Sequence, residues 1–162
     1  MGAIARKAKY MAYEFTEEQK MFKDTMRRLT KEKIAPRAAA IDREGKFPRD
    51  IYRLFCDNNL MGVAFPEEYG GSGAEFLTFC LGIEEIAAAC LNSSMIPSIQ
   101  ELACTPILLA ASHEQKQKYL PKLASGEWLA SFCLTESEAG SDVASMRTRA
   151  ITPRRCKCSK TA

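Results

Sequence analysis

The residues best suited to chemistry lie in one short segment, Phe132 to Asp142. Its apolar first half is predicted to form a strand that ends near Thr135. A bend of small residues that includes Gly140 follows. Such a bend leaves backbone N–H groups and the hydroxyls of Thr135 and Ser141 unpaired at the strand end. These groups suit the carbonyl and nitrogen rim of a flat heterocycle, or a phosphate oxygen. A polar hairpin turn without a ligand is the alternative, and the residue types alone do not decide between the two.

Other patterns indicate structure rather than chemistry. The run from Gly70 to Gly73 lacks the Gly-Lys-Ser/Thr of a Walker phosphate loop and is predicted to connect two elements. His113 follows a helix-opening serine and is expected to be exposed, without a nucleophile placed to use it. Adjacent Glu84 and Glu85 face two sides of a helix, so they are not an acid/base pair. A single histidine cannot complete a Cys/His cluster, so we expect no metal site.

Helices are predicted to carry that segment. Thr16 to Gln19 forms a capping box that opens an amphipathic helix to about Ile34, and Pro36 forces a kink or restart. A second helix begins near Pro48 and stops at the pair of asparagines 58–59. A third, at about 75–91, is apolar over most of its surface and should be central. A fourth, at about 94–111, is disturbed by two prolines, and a second capping box at 112–115 opens a fifth.

The pattern changes after Gly126, which closes the helical region. The stretch 128–134 is apolar and partly aromatic without a helical period, which predicts a strand. The stretch 146–152 alternates and predicts another strand. Two strands alone are marginal in water. The predicted fold class is therefore mainly α, a bundle of about five helices followed by an incomplete β segment.

Composition limits the classes of function. The 162 residues are 46% apolar and 27% charged, which is typical of a folded soluble domain. No apolar run approaches the ~18 residues of a membrane span. The net charge of +3 comes from the two ends, where basic residues stand without acidic ones. A nucleic-acid surface needs basic residues clustered on the body, so we expect no nucleic-acid partner.

Four stretches resemble motifs of the acyl-CoA dehydrogenase family, and they occur in the same order and with the same spacing as in that family. They are residues 13–19, residues 34–48, residues 66–73, and residues 116–127 leading into Leu134–Asp142. The resemblance covers roughly residues 13–150. It divides the chain into a basic extension (1–12, expected to be disordered), a helical amino-terminal domain of the acyl-CoA dehydrogenase type (13–127), the start of a β domain with the flavin-contact segment (128–150), and a non-matching basic tail (151–162).

What the resemblance implies is FAD-dependent α,β-dehydrogenation of an acyl-CoA thioester. Thr135 would meet the flavin near its reactive nitrogen, Leu134 would offer backbone contacts to the pyrimidine edge, and Phe132 would pack nearby. Gly140 lies in the same flavin-contact segment, and Ser141 would bind the diphosphate or the thioester ligand. Residues 86–111 would shape part of the acyl pocket. Electron-transfer flavoprotein is the implied partner, the family is homo-oligomeric, and the implied compartment is the cytoplasm or the mitochondrial matrix.

Two departures from the family pattern bear on activity. Ser137 stands where the family usually has proline. Residues 151–162 do not match the continuing β domain, and the family's base glutamate belongs to the part beyond it. No residue here is therefore assigned as catalytic base, and we expect a truncated chain without activity on its own. The alternative is a non-enzymatic helical interaction module whose apolar faces bind partners.

Overall fold

The computed structural model describes residues 14–150, so the expected basic extension (1–12) and the non-matching tail (151–162) lie outside the described residues. Two compact units are present, one ending at Phe132 and one beginning at Cys133. The described part of the first unit contains six α-helices. They are α1 (Glu17–Leu29), α2 (Ala35–Glu44), α3 (Arg49–Asp57), α4 (Phe76–Ala89), α5 (Leu91–Ala110) and α6 (His113–Ala124). The predicted mainly helical class is confirmed.

The first predicted helix, 16 to about 34, is α-helical only to Leu29 and ends in a π-helical turn. The capping box of α1 is present, since the Thr16 hydroxyl accepts from the N–H of Gln19 and the Gln19 side chain accepts from the N–H of Thr16. After Leu29 the chain makes a π-helical turn over Thr30–Ile34 and restarts as α2, with Pro36 in its first turn. Proline lacks an N–H and is tolerated at a helix start. The predicted restart is therefore confirmed.

Helix α4 is central, as predicted, because it packs against both α1 and α5. Its buried face joins Met26, Phe55 and Ile86 in one core cluster. Contrary to the prediction that Glu84 and Glu85 face two sides of this helix, both carboxylates form ion pairs with α1. Glu84 lies 3.0 Å from Lys23 Nζ, and Glu85 lies 2.8 Å from Arg27 Nη2 and 3.7 Å from Lys23 Nζ. These carboxylates hold two helices together.

A second core cluster lies between α5, α6 and the 3₁₀ turn Glu67–Tyr69. Helix α5 begins three residues earlier than predicted and contains both prolines, 97 and 106, without ending. The predicted capping box of α6 is present, with the Ser112 hydroxyl accepting from the N–H of Gln115. His113 is exposed, as expected.

The glycine run is a connection, as predicted. The N–H groups of Gly70, Gly71, Ser72 and Gly73 donate to the backbone carbonyls of residues 67, 66, 62 and 65 in turn. Because all four donors are used by the fold, this loop has no free N–H groups with which to bind a phosphate.

Neither predicted strand, 128–134 or 146–152, is formed over the residues that the structure describes. Within residues 14–150 the only β pairing is an isolated antiparallel bridge between Glu136 and Ala139. The N–H groups of Trp128 and Ala130 bond instead to Lys122 O and to the side chain of Gln100. The N–H groups of residues 146–148 likewise donate to the Val143 carbonyl and to the Glu136 carboxylate. An apolar run becomes a strand only when a neighbouring strand accepts its hydrogen bonds, and among the described residues none does.

Candidate functional site

The first unit ends in a short irregular segment that follows α6. Gly126 turns the chain with φ at +75°, and its carbonyl accepts a hydrogen bond from the Tyr52 hydroxyl. The Trp128 ring then lies 4.5 Å from Lys122 Nζ. Phe132, the first predicted site residue, ends this unit with 41% of its surface exposed.

The second unit begins with the other four predicted site residues, two on each side of a tight bend. Glu136 and Ala139 exchange two backbone hydrogen bonds, of 3.0 and 3.2 Å, around a two-residue turn. Thr135 precedes this bridged pair, Gly140 follows it, and Ser141 comes next. Leu134, which precedes them, is 37% exposed.

The Glu136 carboxylate fixes the return of the chain. It accepts hydrogen bonds from the backbone N–H groups of Arg147 and Thr148, at 2.9 and 3.0 Å. These bonds stabilise the ionised form, so the pKa of Glu136 lies below its ordinary value, with the Arg147 N–H as the largest cause. The carboxylate therefore closes the segment between residues 136 and 148 into a loop.

The hydroxyls of Thr135 and Ser141 are free to bind a ligand. Neither makes a hydrogen bond with any residue between 14 and 150, and both residues are exposed. The backbone N–H groups of Thr135, Gly140 and Ser141 likewise have no acceptor in the described part of the chain. A Cβ built at Gly140 would meet nothing within 4 Å, so the surface beside the bend is open. The bend therefore presents several hydrogen-bond donors to solvent.

An apolar groove in the first unit lies beside α5. It has a volume of about 310 Å³ and is lined mainly by apolar side chains, among them Met95, Ile99 and Leu129. Two of these residues belong to the stretch 86–111 that the resemblance assigns to the acyl pocket. Grooves of this size and lining take apolar ligands.

Two residues were missed from the sequence, one that holds the end of the first unit and one that closes the bend in the second. Gln100 is buried within α5 and bonds to the segment that follows α6, and Glu136 closes the bend. A glutamine among apolar residues of a buried helix could have drawn attention to the first. The partners of Glu136 lie eleven and twelve residues away in an irregular stretch, where no periodic pattern signals them. Among residues 14–150 no cluster of His, Cys, Asp or Glu could hold a metal ion.

Comparison with known proteins gives a consistent family match. The family described as "Acyl-CoA dehydrogenase, N-terminal domain" matches residues 16–127. The probable acyl-CoA dehydrogenase YngJ of Bacillus subtilis is 39% identical over 87% of this chain, and mitochondrial isovaleryl-CoA dehydrogenase of Solanum tuberosum is 42% identical over 84%. The chain spans only 37% and 34% of the lengths of these two relatives.

Solved structures show the same fold. Butyryl-CoA dehydrogenase from Megasphaera elsdenii superposes with a TM-score of 0.77 at 29% identity, over 85% of this chain and 37% of that one. A chain from a structure described as electron transferring flavoprotein of Acidaminococcus fermentans gives a TM-score of 0.82 at 32% identity, over 89% of this chain and 38% of its own.

Proposed function

The chain belongs to the acyl-CoA dehydrogenase family, and we propose that it carries the flavin-contact segment of an FAD-dependent enzyme that dehydrogenates an acyl-CoA thioester at its α,β bond. The observation that supports this most is the bend in the second unit, where Thr135, Gly140 and Ser141 present unpaired N–H and O–H groups to solvent.

The donors of the bend fit the cofactor. A flavin presents carbonyl oxygens and ring nitrogens along one edge, and these accept hydrogen bonds. The backbone N–H groups and the two hydroxyls supply donors of the required kind. The open surface beside Gly140 leaves space for a flat ring or a diphosphate to approach the backbone. The residues present therefore suit FAD.

Each residue has a role in binding. Thr135 and the backbone of Leu134 hold the polar edge of the ring, and Phe132 supplies an apolar surface near it. Ser141 and the N–H of Gly140 bind the diphosphate or the thioester ligand. Bound FAD supplies the redox chemistry as acceptor of a hydride from the β carbon. None of the residues in this chain is assigned as the base that removes the α proton.

The acyl part of the substrate belongs in the groove beside α5. Met95, Ile99 and Leu129 give it apolar walls, which suit a hydrocarbon chain. Electron-transfer flavoprotein is the proposed acceptor of the electrons. The proposed location of this chain is the mitochondrial matrix or the cytoplasm, and the relative from Solanum tuberosum is named as mitochondrial. No helix in the described residues is both long enough and apolar enough to cross a bilayer.

Titration of the whole chain with FAD, followed by flavin fluorescence, tests the proposal. We expect saturable binding that is weakened about 2- to 10-fold by Thr135→Val, and by a similar factor by Ser141→Ala, because each removes one hydrogen bond. Ser137→Ala is the matched control, since this exposed hydroxyl lies in the same turn but is not assigned to the flavin.

Two results would contradict the proposal. One is the absence of saturable binding by the folded chain. The other is an equal loss of affinity in the Ser137→Ala control, which would indicate that the bend as a whole, rather than the two assigned hydroxyls, governs binding.

Exposed side chains on α5 favour a second candidate function, that of an interaction module. Leu102 is 48% exposed and Leu109 is 80% exposed, and both are large and apolar. Exposed apolar surface of this kind promotes association with other proteins. Size-exclusion chromatography of the wild type and of Leu109→Ser tests this candidate. A concentration-independent monomer that binds no full-length relative in a pull-down would count against it.

A further inference from the structure

Gln100 is a polar residue at a buried position of α5. Only 1% of its surface is exposed, and its neighbours on that face, Ala103 and Cys104, are buried and small. Placing a primary amide in such surroundings costs free energy unless its hydrogen bonds are made. The bonds that it makes therefore indicate why a glutamine stands at this position.

All of the hydrogen-bonding capacity of the amide nitrogen is used. Gln100 Nε2 donates to Leu123 O, in the last turn of α6, at 2.7 Å and to Trp128 O at 3.0 Å. Its Oε1 accepts from the N–H of Ala130 at 2.9 Å. One side chain thus joins α5 to the end of α6 and to the irregular segment beyond it.

The two bonds to that segment have the pattern of a strand partner. In an extended chain, the carbonyl of one residue and the N–H of the residue two positions later point to the same side. The Gln100 amide donates to the carbonyl at 128 and accepts from the N–H at 130, as the N–H and C=O of one residue in a neighbouring parallel strand would. It therefore fixes the register of the segment.

We propose that Gln100 is a positioning residue, whose side-chain amide sets the register of residues 128–130 and thereby the place at which Phe132 leaves the helical unit. Phe132 lies two residues beyond the last of these bonds. The importance of this place for flavin contact rests on the proposed function, whereas the register itself does not.

Other side chains at position 100 cannot make the same set of bonds. Leucine has a similar size but no polar atoms, so the Trp128 carbonyl and the Ala130 N–H would lose their partner, whereas Leu123 O would keep the N–H of Gly126. Ionised glutamate would turn a negative oxygen toward the carbonyls of Leu123 and Trp128, which are acceptors themselves. Protonated glutamate can donate one hydrogen bond and accept another, so acid should restore part of the register.

Two measurements on the folded chain without flavin test the proposal. Hydrogen exchange of the Ala130 N–H should become about tenfold faster in Gln100→Leu, beyond any change in the amides of α5 itself. Trp128 is the single tryptophan of the chain, so its emission should shift to longer wavelength and acrylamide should quench it more strongly. Gln117→Leu is the control, because Gln117 is exposed on α6.

Gln100→Glu provides a second test if the leucine variant does not fold. Its Trp128 fluorescence should move toward that of the wild type as the pH is lowered through the pKa of the new carboxyl, and Gln117→Glu should show no such titration. Unchanged exchange at Ala130 together with unchanged Trp128 quenching in a folded Gln100 variant would overturn the proposal. Neither hydrogen exchange at Ala130 nor Trp128 fluorescence requires flavin. A failure of FAD to bind would therefore count against the proposed function alone.

Discussion

The turn at Gly126 should tolerate no side chain, because of both its backbone conformation and its close neighbours. Its φ of +75° lies in the left-handed region, which costs an L-residue about 1–2 kcal/mol. A Cβ built there would also clash with Cys56 Sγ and lie 3.2 Å from Met61 Cγ. Overpacking of this kind costs about 1–3 kcal/mol more. We therefore expect Gly126→Ala to lower the free energy of unfolding by about 2–5 kcal/mol.

Urea denaturation followed by circular dichroism measures this loss, and two further variants separate its parts. Gly45→Ala also places alanine at a positive φ, +59°, but its Cβ would meet nothing within 4 Å, so it should show the backbone cost alone. Cys56→Ala removes the clashing sulfur and should restore about 1–3 kcal/mol in the Gly126→Ala background. Additive losses in this double-mutant cycle, or equal losses in the two glycine variants, would refute the reasoning.

Three further predictions concern the helices and the bend. Ser112→Ala should lower the free energy of unfolding by about 1 kcal/mol and Ser112→Gly by only a few tenths, because glycine is itself a tolerable N-cap; equal losses in urea would argue against the cap. Phe55→Ala should cost about 3–5 kcal/mol, because the ring is fully buried, whereas Met21→Ala, at a 65% exposed position, should change stability by less than about 0.5 kcal/mol. Because the pKa of Glu136 is lowered in the folded state, its contribution to stability is complete above the unfolded pKa and is lost as the pH falls through the folded pKa. The chemical shifts of the two N–H groups bound to it should titrate with a midpoint below the ordinary pKa of a glutamate, and Glu136→Gln should abolish that titration.

Local signals in the sequence were sufficient for most of the helices. Both capping boxes, at Thr16 and Ser112, formed as predicted, because each is a pair of hydrogen bonds between residues three apart. The restart near Pro36 follows from the missing N–H of proline in the same way. The π-helical turn before it was not predicted, because the change from one helical hydrogen-bond pattern to another leaves no mark on the apolar period.

The candidate site was located from the sequence only as a segment. A bend with unpaired hydroxyls at Thr135 and Ser141 was predicted from the residue types. In the structure both residues are exposed, and their hydroxyls have no partner in the described part of the chain. Their assignment to a flavin rests on the family and stays a prediction. The predicted strands were wrong over 128–134 and 146–150, because neither apolar composition nor alternation reveals whether a neighbouring strand is present to accept hydrogen bonds.

The sequence by itself determined where α1, α3 and α6 begin, because those starts depend on contacts within one or two turns. Only the tertiary structure decided what holds the segment after α6. Gln100 reaches Ala130 across thirty positions of the chain, and Glu136 reaches Thr148 across twelve. Bonds over such separations depend on how helices pack and how a bend closes, and no short window of residues encodes them.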